Sequence, residues 1–217
     1  MQAAKRIGVD ESGKGDYFGY LVIAGVIADD KTESRLKSLG VKDSKKLLDS
    51  AALRLATAIK KVCVNDVVKI SPEKYNHLYK KFYSNLNNML AWGHAQVIEN
   101  LLKKDGDVAV AISDKFGDES LLKDALKKKS VKIKLIQKVR AEENVAVAAA
   151  SILARAEFLR TLRRLSLEVG YKLPKGSTDA EAAAKELIGK YGKEHVEKLL
   201  PMIAKMHFKI TKRVMKK

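Results

Sequence analysis

Apolar and β-branched residues open the chain in two runs, Ile7-Gly8-Val9 and the longer Phe18-Gly19-Tyr20-Leu21-Val22-Ile23-Ala24-Gly25-Val26-Ile27, separated by a glycine-rich stretch. Short apolar runs bounded by turn residues predict strands, and their closeness in sequence predicts a hairpin. Two further strands are predicted over residues 62–70 and 107–113. A fifth is predicted over 131–137, where Val131, Ile133 and Leu135 alternate with lysines until Ile136 breaks the pattern, as suits an edge strand. Between and after these the period changes. Ser71-Pro72 has the form of an N-cap with proline at the first helical position and predicts a helix through Phe82. Residues 85–103 place Leu86, Leu90, Val97 and Leu101 roughly on one helical face. Residues 145–167 are alanine-rich and then arginine-rich, which predicts a helix whose small-residue face can pack closely on a sheet. Thr178-Asp179-Ala180-Glu181 has capping-box spacing and predicts another helix start. Strands come first, then strands mixed with helices, then helices to the end. That order predicts an α/β protein, a mixed sheet covered by helices.

Composition narrows the class. The 217 residues contain no Pro/Gly/Ser-rich linker and no internal repeat, so a single domain over 1–217 is expected. With 46% hydrophobic residues and only 3 Pro, the chain is neither disordered nor of low complexity. Its lone Cys63 excludes an internal disulfide and a cysteine-based zinc site, fits a reducing compartment such as the cytoplasm, and reads as an inert thiol in an apolar strand. No apolar run reaches the roughly 18 residues of a membrane span, and the first six residues lack a secretory pattern, so a soluble protein is expected. Lys and Arg number 43 against 26 Asp and Glu, a formal charge of +17. Such an excess points to a polyanion, nucleic acid before an anionic membrane, although lysines also serve simply as solvated surface.

The candidate chemistry is concentrated in Asp10-Glu11-Ser12-Gly13-Lys14-Gly15-Asp16. Two adjacent carboxylates stand at the end of a predicted strand, followed by two glycines around a lysine. Successive strand residues face opposite sides, so Asp10 and Glu11 share a site only if the strand ends or bulges there. The glycines permit that and can turn backbone N–H groups outward as a nest for an anion or hydroxyl, while an ordinary polar turn is the plainer alternative. Asp114 ends the apolar run 108–113. Glu142 and Glu143 precede the alanine-rich helix, where acids are favoured by the helix dipole in any case. Taken together, Asp10, Glu11, Asp114 and Glu142 offer four oxygen ligands suited to Mg²⁺ or Mn²⁺. Lys14 lacks the spacing of a nucleotide-binding P-loop. His77, His94, His195 and His207 are dispersed without paired zinc spacing and read as structural or surface residues, and Trp92 reads as helix core.

Gly8-Val9-Asp10-Glu11-Ser12-Gly13-Lys14-Gly15-Asp16-Tyr17-Phe18-Gly19 resembles the opening signature of the type 2 ribonucleases H, in the form found in ribonuclease HIII rather than ribonuclease HII. Val41-Lys42-Asp43-Ser44-Lys45-Lys46-Leu47 is similar to that family's Asp-Ser-Lys-Lys block, and residues 85–95 to its long central helix. Asp114-Lys115-Phe116 resembles its third acidic position. Ala141-Glu142, with Val147-Ala148-Ala149-Ala150-Ser151-Ile152-Leu153-Ala154-Arg155, resembles the fourth and the helix after it. Leu173-Pro174-Lys175-Gly176 and His207-Phe208 carry the likeness nearly to the C-terminus. The sequence also departs from the family. Ribonuclease HIII usually carries an N-terminal substrate-binding domain related to the TATA-binding protein, whereas here the signature begins within ten residues of Met1, so that domain is expected to be absent. Tyr20 stands where the family typically has proline. The stretch between Glu142 and Ser151 is about one residue shorter than the family pattern, which leaves Glu143 as the alternative fourth acid. The tyrosine that ribonuclease HII uses at single-ribonucleotide junctions has no evident equivalent.

The resemblance implies an RNase H-like mixed sheet flanked by helices, with a helical C-terminal portion, acting on RNA/DNA hybrids. It implies a two-metal site for Mg²⁺ or Mn²⁺ in which Asp10 lies between the ions and Glu11, Asp114 and Glu142 complete the ligands. Ser12 and the backbone of Gly13-Lys14-Gly15 would form the loop that senses a ribose 2′-hydroxyl. Lys14, Ser44, Lys45 and Lys46 would hold phosphates, with help from Arg155, positioning the duplex without reading base sequence. The implied products carry 5′-phosphate and 3′-hydroxyl ends, and a cytoplasmic monomer with neither membrane nor protein partner is expected. Two alternatives stay open: a basic hybrid-binding protein with little turnover, and a ribonuclease HII-like enzyme that cuts at single ribonucleotides.

Overall fold

Leu21–Ala28 is buried at every position and forms strand β2, the second strand of a five-stranded sheet. Its neighbours are β1 (Arg6–Ser12) and β3 (Val64–Ile70), and the sheet continues from β1 to β4 (Val110–Asp114) and β5 (Lys134–Lys138), giving the order β3-β2-β1-β4-β5. The computed structural model describes residues 4–42 and 47–215. β4 is parallel to both β1 and β5. An uninterrupted apolar strand such as β2 needs cover on both faces, whereas the lysine alternation of β5 suits the edge position it takes.

The helices among the described residues are α1 (Asp30–Ser38), α2 (Asp49–Val62), α3 (Pro72–Lys81), α4 (Leu86–Lys104), α5 (Glu119–Lys128), α6 (Val145–Val169), α7 (Ala180–Tyr191), α8 (Lys193–Ile203) and α9 (Lys209–Met215). A 3-10 turn, Ala141–Glu143, precedes α6. The mixed sheet with flanking helices and a helical C-terminal part is the architecture expected from the sequence. Ser71 caps α3 with proline at its start, and the Asn85 side chain caps α4 by accepting from the N–H groups of Asn87 and Asn88.

Several boundaries differ, each for a local reason. Phe18 lies outside β2 and pairs in an isolated bridge with Ala204. The helical spacing of Ala52, Ala56 and Ile59 carries α2 through Val62, so Cys63 caps a helix instead of lying in a strand. Burial pushes its thiol up to about 11, which keeps it protonated and unreactive. The expected capping box at Thr178 does not form. α7 begins after Asp179 without a side-chain cap, and Glu181 is taken instead by Lys185 and Arg213. Trp92 is half-buried instead of lying in the core.

The described residues gather into two compact units, one within 1–11, 22–68 and 85–156, the other within 12–21, 69–84 and 157–217. In the first, the N-terminal part of α6 presents Ala146, Ala148, Ala149, Ala150 and Ala154, all buried. The close approach is greatest at Gly8, where a Cβ would fall 2.3 Å from the backbone carbon of Ala146. On the other side, α4 lays Val97 and Leu101 over Gly25 of β2. In the second unit α3 packs on α8, and α7 on α8 and α9.

Candidate active site

Along the parallel pair β1 and β4, Gly8 lies opposite Ile112 and Val9 opposite Ser113. Asp10 and Asp114 are the next residues on each strand. Partners on neighbouring strands point the same way and successive residues alternate, so both carboxylates project to the Gly8 side, where α6 lies. Consistent with this, the Ser151 side chain of α6 is hydrogen-bonded to Asp10. The C-terminal ends of parallel strands are where open α/β sheets place their ligands.

The strand does not end at the acid pair, because β1 continues through Ser12. Glu11 therefore goes to the α4 side. There its Oε2 lies 3.0 Å from His94 Nε2, while Nδ1 of the same ring lies 3.0 Å from Ser113 Oγ. His94 is fully buried beside the Phe116 ring, 4.8 Å away between centroids. A histidine expected to serve only the core or the surface is thus also the partner of a candidate acid. Asp10 and Glu11 remain close enough to repel. Burial and the Glu11 charge push the Asp10 carboxyl up to about 7, against the pull of the Ser151 hydrogen bond and of the Glu11 N–H, which donates to Asp10 Oδ1 at 2.8 Å.

Asp114 reaches the other acidic segment. Its Oδ1 accepts from the Ala141 N–H at 3.2 Å, tying the end of β4 to the turn that carries Glu142 and Glu143. The start of α6 is capped by Asn144, whose side-chain oxygen accepts from Ala146 and Val147, so neither glutamate is needed as the cap. Glu142 is half-buried and Glu143 exposed. Among the described residues no three His, Cys, Asp or Glu side chains are gathered closely enough to hold a metal ion as they stand. Asp10, Glu11 and Asp114 are each turned onto a protein partner, but carboxylate oxygens keep further lone pairs after one such bond. An all-oxygen set fits a hard divalent cation, and the crowding that raises Asp10 is relieved by added positive charge.

The glycine loop belongs to the second unit. Gly13 has φ +89°, and a Cβ there would fall 2.1 Å from the Tyr20 carbonyl oxygen, so the turn itself demands glycine. Gly15 has ordinary φ, is exposed, and would meet nothing within 4 Å. Lys14 is half-buried. The Leu173–Gly176 block is found serving this loop: the Gly176 N–H donates to Asp16 Oδ1 at 2.6 Å, and the Tyr17 N–H donates to the Gly176 carbonyl at 3.0 Å. Tyr20 accepts through its hydroxyl from Arg164 at 2.6 Å. Arg155 pairs with Asp49, the first residue of α2, at 2.7 Å. Ser44, Lys45 and Lys46 lie outside the described residues.

Comparison with known proteins agrees with this architecture. Residues 7–211 match the family described as Ribonuclease HII, and the chain belongs to that family of enzymes. Over 94% of its length it is 50% identical to the ribonuclease HIII of Protochlamydia amoebophila and 48% identical to that of Chlamydia felis. It spans 66% and 67% of those proteins, about two thirds of their length. Its fold matches the crystal structure of Bst-RNase HIII in complex with Mn²⁺ with a TM-score of 0.88 and 33% identity, covering 98% of this chain and 69% of that one.

Proposed function

We propose that this chain is a divalent-metal-dependent endonuclease that hydrolyses the RNA strand of RNA/DNA hybrids, leaving 5′-phosphate and 3′-hydroxyl ends. The observation that carries the reading is the parallel register of β1 on β4, in which Asp10 and Asp114 each follow the paired Val9 and Ser113, with the Glu142 turn tied to Asp114. Asp10, Glu11, Asp114 and Glu142 would hold the ions. Glu142 is preferred to Glu143 because it is the less exposed of the two. When bound, a pair of Mg²⁺ or Mn²⁺ ions supplies an activated water and stabilises the leaving oxygen. The protein's own part is to aim the acids: Ser151 and the Glu11 N–H orient Asp10, His94 orients Glu11, and the Ala141 N–H orients Asp114.

Hybrid recognition is assigned to Ser12, Gly13, Lys14 and Gly15, whose backbone can approach a ribose 2′-hydroxyl where Gly15 leaves open space. Lys14, Ser44, Lys45, Lys46 and Arg155 are assigned to phosphates, as the +17 charge favours. The reading takes 1–217 as one type 2 ribonuclease H catalytic domain, working as a monomer. The lone Cys63, kept as a buried thiol, fits the reducing cytoplasm.

The test follows an end-labelled RNA strand annealed to DNA, in Mg²⁺, Mn²⁺ or EDTA, beside single-stranded RNA, double-stranded RNA and a duplex containing one ribonucleotide. Internal cuts in the continuous hybrid, abolished by EDTA and by Asp114→Asn with hybrid binding retained, are expected. Tight hybrid binding without metal-dependent cutting would favour the binding-protein reading. Cuts confined to the single-ribonucleotide duplex would favour the junction enzyme.

A further inference from the structure

Lys205 is fully buried, an unusual place for an ammonium group. It lies just beyond Ala204, the C-cap of α8, and is reached by no carboxylate in a salt bridge among the described residues. Its Nζ donates to two backbone carbonyls, those of Asp16 and Gly19, each at 2.8 Å. Its own N–H donates to the carbonyl between them, that of Tyr17, at 2.9 Å. The ammonium also lies 5.6 Å from the centre of the Tyr75 ring of α3. One residue thus grips three carbonyls of the four-residue segment that continues the glycine loop.

The surroundings make this an expensive contact to keep. Burial brings the Lys205 amine down to about 7, opposed by the nearby charge of Asp16. The His207 imidazole is held below its usual range by burial and by Lys205. Two of the three donors of an ammonium are taken up by these carbonyls, the Gly19 contact buried and the Asp16 contact partly so, and a shorter neutral side chain could not span both. The segment is also fastened by the Gly19 N–H, which donates to the Ile203 carbonyl at 2.9 Å, and by the Phe18–Ala204 bridge. Those bonds fix where the segment lies. The Lys205 ammonium fixes which way the Asp16 and Gly19 carbonyls face, and with them the Asp16–Tyr17 and Gly19–Tyr20 peptide planes, the first of which begins one residue after Gly15.

We propose that Lys205 is a positioning residue for hybrid recognition: by clamping the Asp16 and Gly19 carbonyls it holds the Gly13–Gly15 backbone in the orientation that receives a ribose 2′-hydroxyl. The proposal rests on the functional reading above. It would act on the preference for a hybrid over a DNA duplex, because only the hybrid offers that hydroxyl.

The test compares wild type with Lys205→Met, which keeps the stem and removes the donors, and Lys205→Gln, which restores an uncharged donor group on a shorter stem. Binding of a continuous RNA/DNA hybrid and of a DNA duplex of the same sequence is measured in EDTA, so that no cleavage intervenes, with thermal melting as the check on folding. Lys205→Met is expected to weaken hybrid binding about tenfold while DNA-duplex binding changes less than about twofold, with Lys205→Gln in between. Equal losses on both duplexes, an unchanged preference, or failure of both variants to fold would assign Lys205 to the fold alone and overturn the proposal. A wild-type chain without any preference for the hybrid would count against the functional reading itself.

Discussion

Replacing Asp10 with asparagine tests the physical basis of the acid pair without reference to catalysis. In the folded chain burial and the Glu11 charge push the Asp10 carboxyl from an ordinary 3.8 up to about 7. A group whose pKa is higher folded than unfolded favours the folded state fully below the unfolded value, and that contribution is lost as pH rises through the folded value. In EDTA the stability of the wild type should therefore decline between about pH 4 and about pH 7. At 1.36 kcal/mol per unit, the roughly three-unit shift sets a ceiling of about 4 kcal/mol. Sharing of the repulsion with Glu11 brings the expected effect to about 2–3 kcal/mol. Asparagine keeps an oxygen to accept from the Glu11 N–H but carries no charge. Asp10→Asn should consequently be more stable than wild type at about pH 8 by about 2–3 kcal/mol, the gap closing towards pH 4. Urea unfolding followed by circular dichroism at several pH values reads this directly, and saturating Mg²⁺ should restore much of the wild type's lost stability while leaving the variant unchanged. A variant equally or less stable at pH 8, or one with the wild type's pH dependence, would refute the claim that Asp10 is crowded.

The two loop glycines should separate. Gly13→Ala forces a Cβ against the Tyr20 carbonyl at positive φ and should cost about 2 kcal/mol or more in thermal or urea unfolding, whereas Gly15→Ala should leave stability within about 0.5 kcal/mol yet weaken hybrid binding. Equal melting of the two variants would contradict the contrast. His94→Phe fills a similar space but strips Glu11 and Ser113 of a buried partner. Unfolding in EDTA should show a loss of about 1–3 kcal/mol, and cleavage should fall with it; unchanged stability would mean that the Glu11–His94–Ser113 chain contributes nothing.

How much of this was legible in the sequence depends on how local each cause is. β2 and β5 follow from their own residues, one uninterrupted apolar run and one lysine alternation, and the starts of α3 and α4 follow from caps one residue away. Cys63 reads as strand because Val62-Cys63-Val64 is continuously apolar, and no residue there marks where the helix of Ala52, Ala56 and Ile59 stops. The acids Asp10, Glu11, Asp114 and Glu142 are recognisable because they follow short apolar strand runs or precede an alanine-rich helix, although β1 runs on past the first two. Their mutual arrangement required the register of β1 on β4, which no local pattern encodes.

His94 and Lys205 share one property: each reaches its partner only through the tertiary fold. His94 and Glu11 are separated by 83 positions, and Lys205 and Gly19 by 186. A single histidine in an apolar helix, or a lysine near the end of a lysine-rich chain, looks ordinary in one dimension. Burial is what distinguishes them, because an enclosed polar group without partners is costly and the partner it finds reveals its task. For His94 that partner is a side chain of the acid pair, and for Lys205 it is the backbone of the adjoining loop. The sequence marks the groups suited to chemistry, whereas the fold selects those that hold them in place. A substitution that spares every acid can therefore still alter recognition or turnover, and Lys205→Met is the variant in which that separation should be clearest.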